Sequence, residues 1–323
     1  MAKPKGSLGQ LEELALQLAM LQKTLKPELR KPCNIVFCAD HGIVEEHISQ
    51  SPKEITYQVV YNMLNGGAGI SFLCRQHQVD LKLVDVGVDY DFQAISGLKH
   101  RKIRRGTRNY LYEAAMTESE LEEAIKIGED CVSEVYEVGC NVISFGEMGI
   151  TNTASSAILM SLICDLPLRD CVGRGSGLDD DGLEHRYQVL LKAIDGYQGS
   201  RNPEAVLAYF GGYEMVAAIG AMLRAAELGI LILIDGFIMT VCLLLASRFN
   251  PTIMQYVIFS HQSDEAGHKH LLAYLKAKPL LSLGLRLGEG SGAICAYPLL
   301  CSAAMMMNEM ASFEEAKLRK YFD

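Results

Sequence analysis

Two short stretches carry the residue types that could handle a proton on a bound ligand. In Leu285-Arg286-Leu287-Gly288-Glu289-Gly290-Ser291-Gly292-Ala293 a single carboxylate stands between glycines, with apolar runs on either side. Glycine allows a sharp turn and a close backbone approach, so Glu289 is a candidate base at the mouth of a pocket. The same spacing also fits a tight turn whose glutamate faces water. The second stretch, Gly146-Glu147-Met148-Gly149-Ile150-Thr151-Asn152-Thr153-Ala154, leads from an apolar run into a helical pattern. Its Asn and Thr fit N-caps. A helix start also offers N–H groups and a positive dipole end to a phosphate.

A third segment, Gly173-Arg174-Gly175-Ser176-Gly177-Leu178-Asp179-Asp180-Asp181-Gly182, looks like a dinucleotide fingerprint. No clear strand precedes it and no acidic ribose partner follows a strand, so a nicotinamide dinucleotide site is rejected. It reads either as a solvated charged loop or as a flexible loop that brings Arg174 or Arg186 to an anion. The three aspartates fit an acidic turn that caps the next helix. Met305, Met306, Met307 and Met310 read as packing residues.

These segments need a scaffold. Short apolar runs at 34–38, 81–86, 142–145, 230–234 and 256–259, with a sixth at 281–287, read as strands covered on both faces. Longer helical patterns at 118–138 and 183–194 lie between them, and an amphipathic helix runs through Leu8, Leu11, Leu14, Leu18 and Leu21. The alternation predicts an α/β fold, a Rossmann-like, mainly parallel sheet with helices on both faces. Nearly every strand is followed by Gly with Asp, Glu, Ser or His: Asp40-His41-Gly42, Asp85-Val86-Gly87, Glu147-Met148-Gly149, Asp235-Gly236, Ser260-His261 and Glu289-Gly290. Ligands of open α/β sheets bind beyond the carboxyl ends of strands, so these loops predict one pocket rim.

Composition bounds the rest. The 323 residues are 49% hydrophobic and 21% charged, enough for a sizeable core, and the net charge of −9 argues against a nucleic-acid partner. No charged and apolar leader opens the chain, so no secretion signal is expected. The uncharged interval 290–308 contains Pro298, Tyr297 and serines, and reads as a buried helix rather than a membrane span. Ten cysteines form no Cys-x-x-Cys pair and most lie in apolar runs, which points to free thiols in a reducing cytoplasm. The histidines are scattered, so no metal site is expected.

Taken together, Lys5–Gly9, Ala39–Ile43, Ser51–Thr56, Val84–Gly87, Gly146–Thr153, Gly173–Gly182, Leu233–Phe237 and Arg286–Gly292 resemble the nicotinate-nucleotide–dimethylbenzimidazole phosphoribosyltransferase family. The matches span nearly the whole chain in order. The resemblance implies a large α/β catalytic domain over 33–300 and a small helical domain made of 1–32 with 301–323. It implies a homodimer that needs no cofactor and takes nicotinate mononucleotide with a benzimidazole-type base. Glu289 corresponds to the family's catalytic base and Glu147 to a second carboxylate at the base pocket, so the two are expected to titrate as a coupled pair. Ser51, Gln58 and Leu287 fall on the base side. Gly149, Asn152, Thr153, Gly175, Arg186, Asp235, Gly236 and Ser260 fall on the nucleotide and phosphate side. The chain begins close to Gly6, so a helix that often precedes this motif is expected to be missing, and Val59 stands where some relatives carry glutamine. Relatives acting on phenols or purines, and a nucleotide-binding regulator on the same fold, are the other readings.

Overall fold

The computed structural model describes residues 1–320; the final residues 321–323 of the expected C-terminal segment lie outside the described residues. Its centre is a six-stranded sheet of β1 (Cys33–Ala39), β2 (Asp80–Gly87), β3 (Leu98–His100), β4 (Val142–Met148), β5 (Leu231–Ile234) and β6 (Val257–Phe259). The strand order is β3-β2-β1-β4-β5-β6 and every pairing is parallel. This is the doubly wound Rossmann order, whose direction reverses between β1 and β4.

Alternation along the strands divides the core in two. Ile35 and Phe37 of β1, Ile143 and Phe145 of β4, and Ile232 and Ile234 of β5 point into one layer. Val36 and Cys38, Val142, and Leu231 and Leu233 point into the other. The first layer is closed by α4 (Glu118–Glu137), α5 (Asn152–Cys164), α6 (Leu168–Cys171), α7 (Asp180–Gly196), α8 (Pro203–Phe210), α9 (Tyr213–Glu227), α10 (Phe237–Phe249) and α11 (Ala266–Tyr274). The second is closed by α1 (Gln10–Gln22), α2 (Ile55–Leu64), α3 (Gly69–His77) and α12 (Ser291–Glu309). Helices therefore cover both faces, as the short apolar strand runs require.

Local chemistry fixes several helix starts. Thr117 and Glu120 form a complete capping box at α4. Asp179 accepts the Gly182 N–H at 2.8 Å, so the acidic turn caps α7 as expected. Asn202 caps α8, with Pro203 in its first turn.

Two strand expectations change. The run 281–287 is not a strand: it makes one parallel bridge, Leu281 with His261, and a later contact from the Asp264 N–H to the Leu285 carbonyl at 3.0 Å. Leu283 and Leu287 are each 59% exposed, so the second covering layer that a buried strand needs is missing there. The sixth strand is instead Leu98–His100, at the opposite sheet edge.

α12 is long and apolar enough to cross a membrane by length and composition alone, yet over half of its apolar window is buried in this core. It packs on α1 and runs unbroken through residue 300, where the expected domain boundary falls.

Candidate active site

Beyond the carboxyl ends of β4, β5 and β6 lies a cavity of about 270 Å³. That is near the lower end for small-molecule sites, roughly 300 Å³. Of the six loops expected to form its rim, Asp40–Gly42 after β1 and Asp85–Gly87 after β2 do not line it. Its walls come from the other expected loops: Glu147 to Thr153 after β4, Asp235 and Gly236 after β5, His261 and Ser263 after β6, and Arg286 to Gly288 before α12. Gly175, Ser176 and Arg186 close it from the side, with Ser49 and Glu265. Thus Glu147, Gly149, Asn152, Thr153, Gly175, Arg186, Asp235, Gly236 and Leu287 meet as the sequence suggested.

Four candidates lie elsewhere. Ser51 is half-buried ahead of α2 and Gln58 is exposed on α2; neither lines this cavity, where Ser49 stands instead. Ser260 is fully buried below the rim, and its Oγ has no partner among the described residues. The neighbouring His261 takes the lining position. Glu289 is also absent from the cavity wall, being buried just behind Leu287 and Gly288.

The geometry at Glu289 is unusual. Gly288, Glu289 and Gly290 have φ of 83°, 65° and 87°, three successive left-handed residues. For the glutamate this conformation is strained and must be held by its surroundings. Asn34 Nδ2 donates to the Glu289 carbonyl at 3.2 Å, and Asn34 Oδ1 accepts from Ser144 Oγ at 2.6 Å. A Cβ at Gly290 would overlap Asn34. The Glu289 backbone lies directly on Gly146 of β4, the residue before Glu147. The carboxylate is not turned to water: Oε2 accepts the Ile70 N–H at 3.1 Å in the first turn of α3. Oε1 is left for another partner. Burial pushes this carboxyl up, the Ile70 N–H opposes that, and the Asp235 charge adds to it.

Asp235 was expected on the nucleotide. Its two oxygens instead accept the Gly290 N–H at 3.2 Å and the Ala293 N–H at 3.0 Å. It therefore fixes the start of α12, and with it the Glu289 turn. His261 Nε2 lies 3.6 Å from Asp235 Oδ1.

Glu147 ends β4 and does face the cavity. Its Oε2 accepts from Asn152 Nδ2, and its Oε1 lies under Gly288. Burial pushes the Glu147 carboxyl well up, and among charges Glu214 contributes before Asp235 and Glu289. Each carboxyl responds first to burial, and their leading charged neighbours differ: Glu214 for Glu147 and Asp235 for Glu289.

The start of α5 departs from expectation in a useful way. Its N-cap is Thr151 at φ 77°, and no side chain caps it: the Thr151 hydroxyl donates to the Ile150 carbonyl and the Asn152 amide to Glu147. A helix start without a side-chain cap, facing a cavity, suits an anion. Arg186 is buried against it, donating to the Ile48 carbonyl at 2.8 Å, the Gly173 carbonyl at 2.9 Å and Thr153 Oγ1 at 3.4 Å. Burial pushes its guanidinium down while the Glu265 charge opposes this; an arginine stays protonated regardless. Arg286 reaches the Gly175 carbonyl at 3.4 Å.

The rim on the other side is pinned by His268. Its Nδ1 accepts the Ser263 N–H at 2.8 Å, so the proton sits on Nε2 and is given to Thr240 Oγ1 at 3.0 Å. Thr240 donates onward to the Gly236 carbonyl at 2.8 Å. Burial, then His261, pushes His268 down to about 3, so it is a neutral strut.

Sequence reasoning missed Glu265 and Arg286 as lining residues and gave His261 no individual role. His261 and Glu265 follow β6 closely, and Arg286 adjoins Leu287, so their positions were visible but not their direction.

A parallel α/β sheet whose crevice joins buried carboxylates, two arginines and an uncapped helix start is the architecture of an enzyme acting on a small phosphorylated ligand. Residues 1–318 match the family model described as phosphoribosyltransferase. The chain is 57% identical over 323 residues to nicotinate-nucleotide–dimethylbenzimidazole phosphoribosyltransferase of Parabacteroides distasonis, covering 100% of this chain and 93% of that one. The protein of the same name from Bacteroides fragilis is 58% identical over 322 residues, with the same coverages. The crystal structure of CobT from Thermus thermophilus superposes with a TM-score of 0.94 at 39% identity, covering 99% of this chain and 96% of that one. The chain belongs to the nicotinate-nucleotide–dimethylbenzimidazole phosphoribosyltransferase family.

Proposed function

We propose that this protein transfers the phosphoribosyl group of nicotinate mononucleotide to 5,6-dimethylbenzimidazole or a similar base. Attack from the face opposite the departing ring inverts the anomeric carbon, giving an α-ribazole-type 5′-phosphate and nicotinate for the nucleotide loop of cobalamin. The observation that carries this reading is Glu289: a buried carboxylate just behind the cavity wall, one oxygen of which is held by a helix-start N–H.

The chemistry needs little more. The pyridinium of the nucleotide leaves as a neutral ring and requires no general acid. The incoming benzimidazole attacks through one ring nitrogen and becomes cationic, so its other N–H must lose a proton. Glu289 Oε1 accepts that proton, and the carboxylate charge favours the cationic transition state. Glu147, pushed toward its neutral form, serves beside it as a hydrogen-bond donor. Gly149, Asn152, Thr153, Gly175 and Arg186 hold the phosphate. Leu287 borders the base, while Asp235, Gly236 and Ser260 act through the rim and the start of α12.

Incubation with nicotinate mononucleotide and dimethylbenzimidazole, followed by chromatography and NMR, tests this. Base-dependent release of nicotinate with an α-linked product is expected. No release would defeat the reading, and a β-linked product would remove inversion.

The same reading makes the protein a cytoplasmic homodimer with a large domain over 33–300 and a small helical unit from both chain ends. Exposed Leu16, Met20 and Leu25 at and beyond α1 support a second copy packing there. Light scattering that gives the mass of one chain would remove the dimer.

A further inference from the structure

Behind the 149–153 turn, outside the cavity wall, lies a fully buried ionisable pair. His41 Nε2 is 2.6 Å from Glu214 Oε1, and both side chains are completely shielded from solvent. His41 follows β1 by two residues, and Glu214 is the second residue of α9. The other imidazole nitrogen, Nδ1, lies 3.3 Å from Ser155 Oγ in the first turn of α5. One imidazole therefore joins the starts of two helices beneath the end of the central strand.

Such a contact is a poor source of net stability, because burying two polar side chains offsets most of what their hydrogen bond contributes. Its value must be sought in what rests on it. Gly149 does: a Cβ there would overlap the Ala39 carbonyl oxygen and lie 3.3 Å from both Glu214 Oε1 and His41 Cδ2. Only a glycine backbone comes this close. Gly212 packs on the other side, where a Cβ would meet His41 Cε1 and lie 2.5 Å from Glu214 Oε2. The pair is held between two backbone segments, and the upper one is the turn that lines the cavity. Glu214 Oε2 is buried with no partner among the described residues, so the pair is not satisfied for its own sake.

We propose that His41 and Glu214 are positioning residues for the nucleotide: they set the height and tilt of the 149–153 turn, and so the aim of its N–H groups, without touching the ligand. The proposal rests on the reading that this turn takes the phosphate. It assigns the pair to affinity for the phosphorylated substrate rather than to the proton transfer at Glu289.

Calorimetry with nicotinate mononucleotide and with its nucleoside, nicotinate riboside, tests it on the full chain. The readout is the ratio of the two affinities, which a general loss of stability would leave in place. Glu214→Gln keeps the length and an accepting oxygen, His41→Gln removes the ring, and Ser155→Ala removes only the Nδ1 contact. In the first two the ratio is expected to fall by roughly ten- to a hundredfold, as a misplacement of about 1 Å does. Ser155→Ala should move it the same way by less. A wild-type ratio in folded Glu214→Gln and Ser155→Ala would overturn the proposal, even if His41→Gln did not fold. A wild-type enzyme that bound nucleotide and nucleoside equally would instead overturn the phosphate reading beneath it.

Discussion

Glu147 and Glu289 are both buried glutamates beside one cavity, yet the protein treats them in opposite ways. Glu147 sits at the end of a regular strand, accepts from a side-chain amide, and has the Glu214 charge behind it. Glu289 sits on a turn of three left-handed residues, pinned through its carbonyl by Asn34, with its carboxylate on the backbone start of α3. Burial raises both carboxyls, but at Glu289 the Ile70 N–H opposes the rise, whereas at Glu147 the opposing group is the Asn152 amide and the Glu214 charge adds to the rise. That difference is what the proposed base and donor roles rest on. The left-handed φ of Glu289 is held by its surroundings, which supports the proposal that this carboxylate is the base.

Removing the base is the largest expected blow to this contrast. Glu289→Gln should keep its fold and its nucleotide affinity but lose kcat/KM by roughly 10²–10⁴-fold, the range for a positioned general base. Steady-state rates near wild type would erase the difference between the two glutamates.

Next comes the turn itself. Gly290→Ala places a Cβ on Asn34 at a φ of 87°. It should destabilise by roughly 1–3 kcal/mol, typical of overpacking and backbone strain, and lower turnover by shifting Glu289. Unchanged denaturation midpoints and rates would show that the pinned turn does not set the base.

The smallest effect is on stability against pH. The folded-state Glu147 carboxyl is raised, so its contribution is fully present below the ordinary carboxylate range and is lost as pH rises through the raised value. Glu147→Gln carries no such loss. Its melting temperature relative to wild type should therefore climb from acidic to alkaline pH. A difference that stays flat, or falls, would mean that Glu147 remains ionised and that the contrast with Glu289 is false.

The sequence announced five of the six strands because each is a short apolar run ending in a polar loop, the signature of strands buried on both faces. β3 escaped because Leu98 is its one buried residue, while 281–287 imitated a strand by alternating leucines that remain partly in water. The site was legible to the extent that strand ends are. Glu147, Gly149, Asp235 and Leu287 converge because their loops share one sheet edge. What could not be read was the choice each side chain makes once there. Asn152 abandons the helix start for Glu147, Asp235 spends both oxygens on α12, and Glu265 comes to Arg186 from far along the chain. Ser51 and Gln58 came from resemblance alone and sit off the cavity wall.

The pairing of α1 with α12 bears on how this chain is made. Leu14, Ala15 and Leu18 share one apolar layer with Ile294, Leu300 and Ala303, and the Ala2 N–H reaches the Ala311 carbonyl at 2.8 Å. During synthesis the opposite layer, built on α4, α5, α9 and α10, can close well before residue 291 leaves the ribosome. The α1 face of the sheet cannot. A nascent chain must carry that uncovered apolar surface until residues 291–309 emerge, the interval in which aggregation or chaperone capture competes with folding. The Glu289 turn, tied to the start of α12, is completed only when α12 docks.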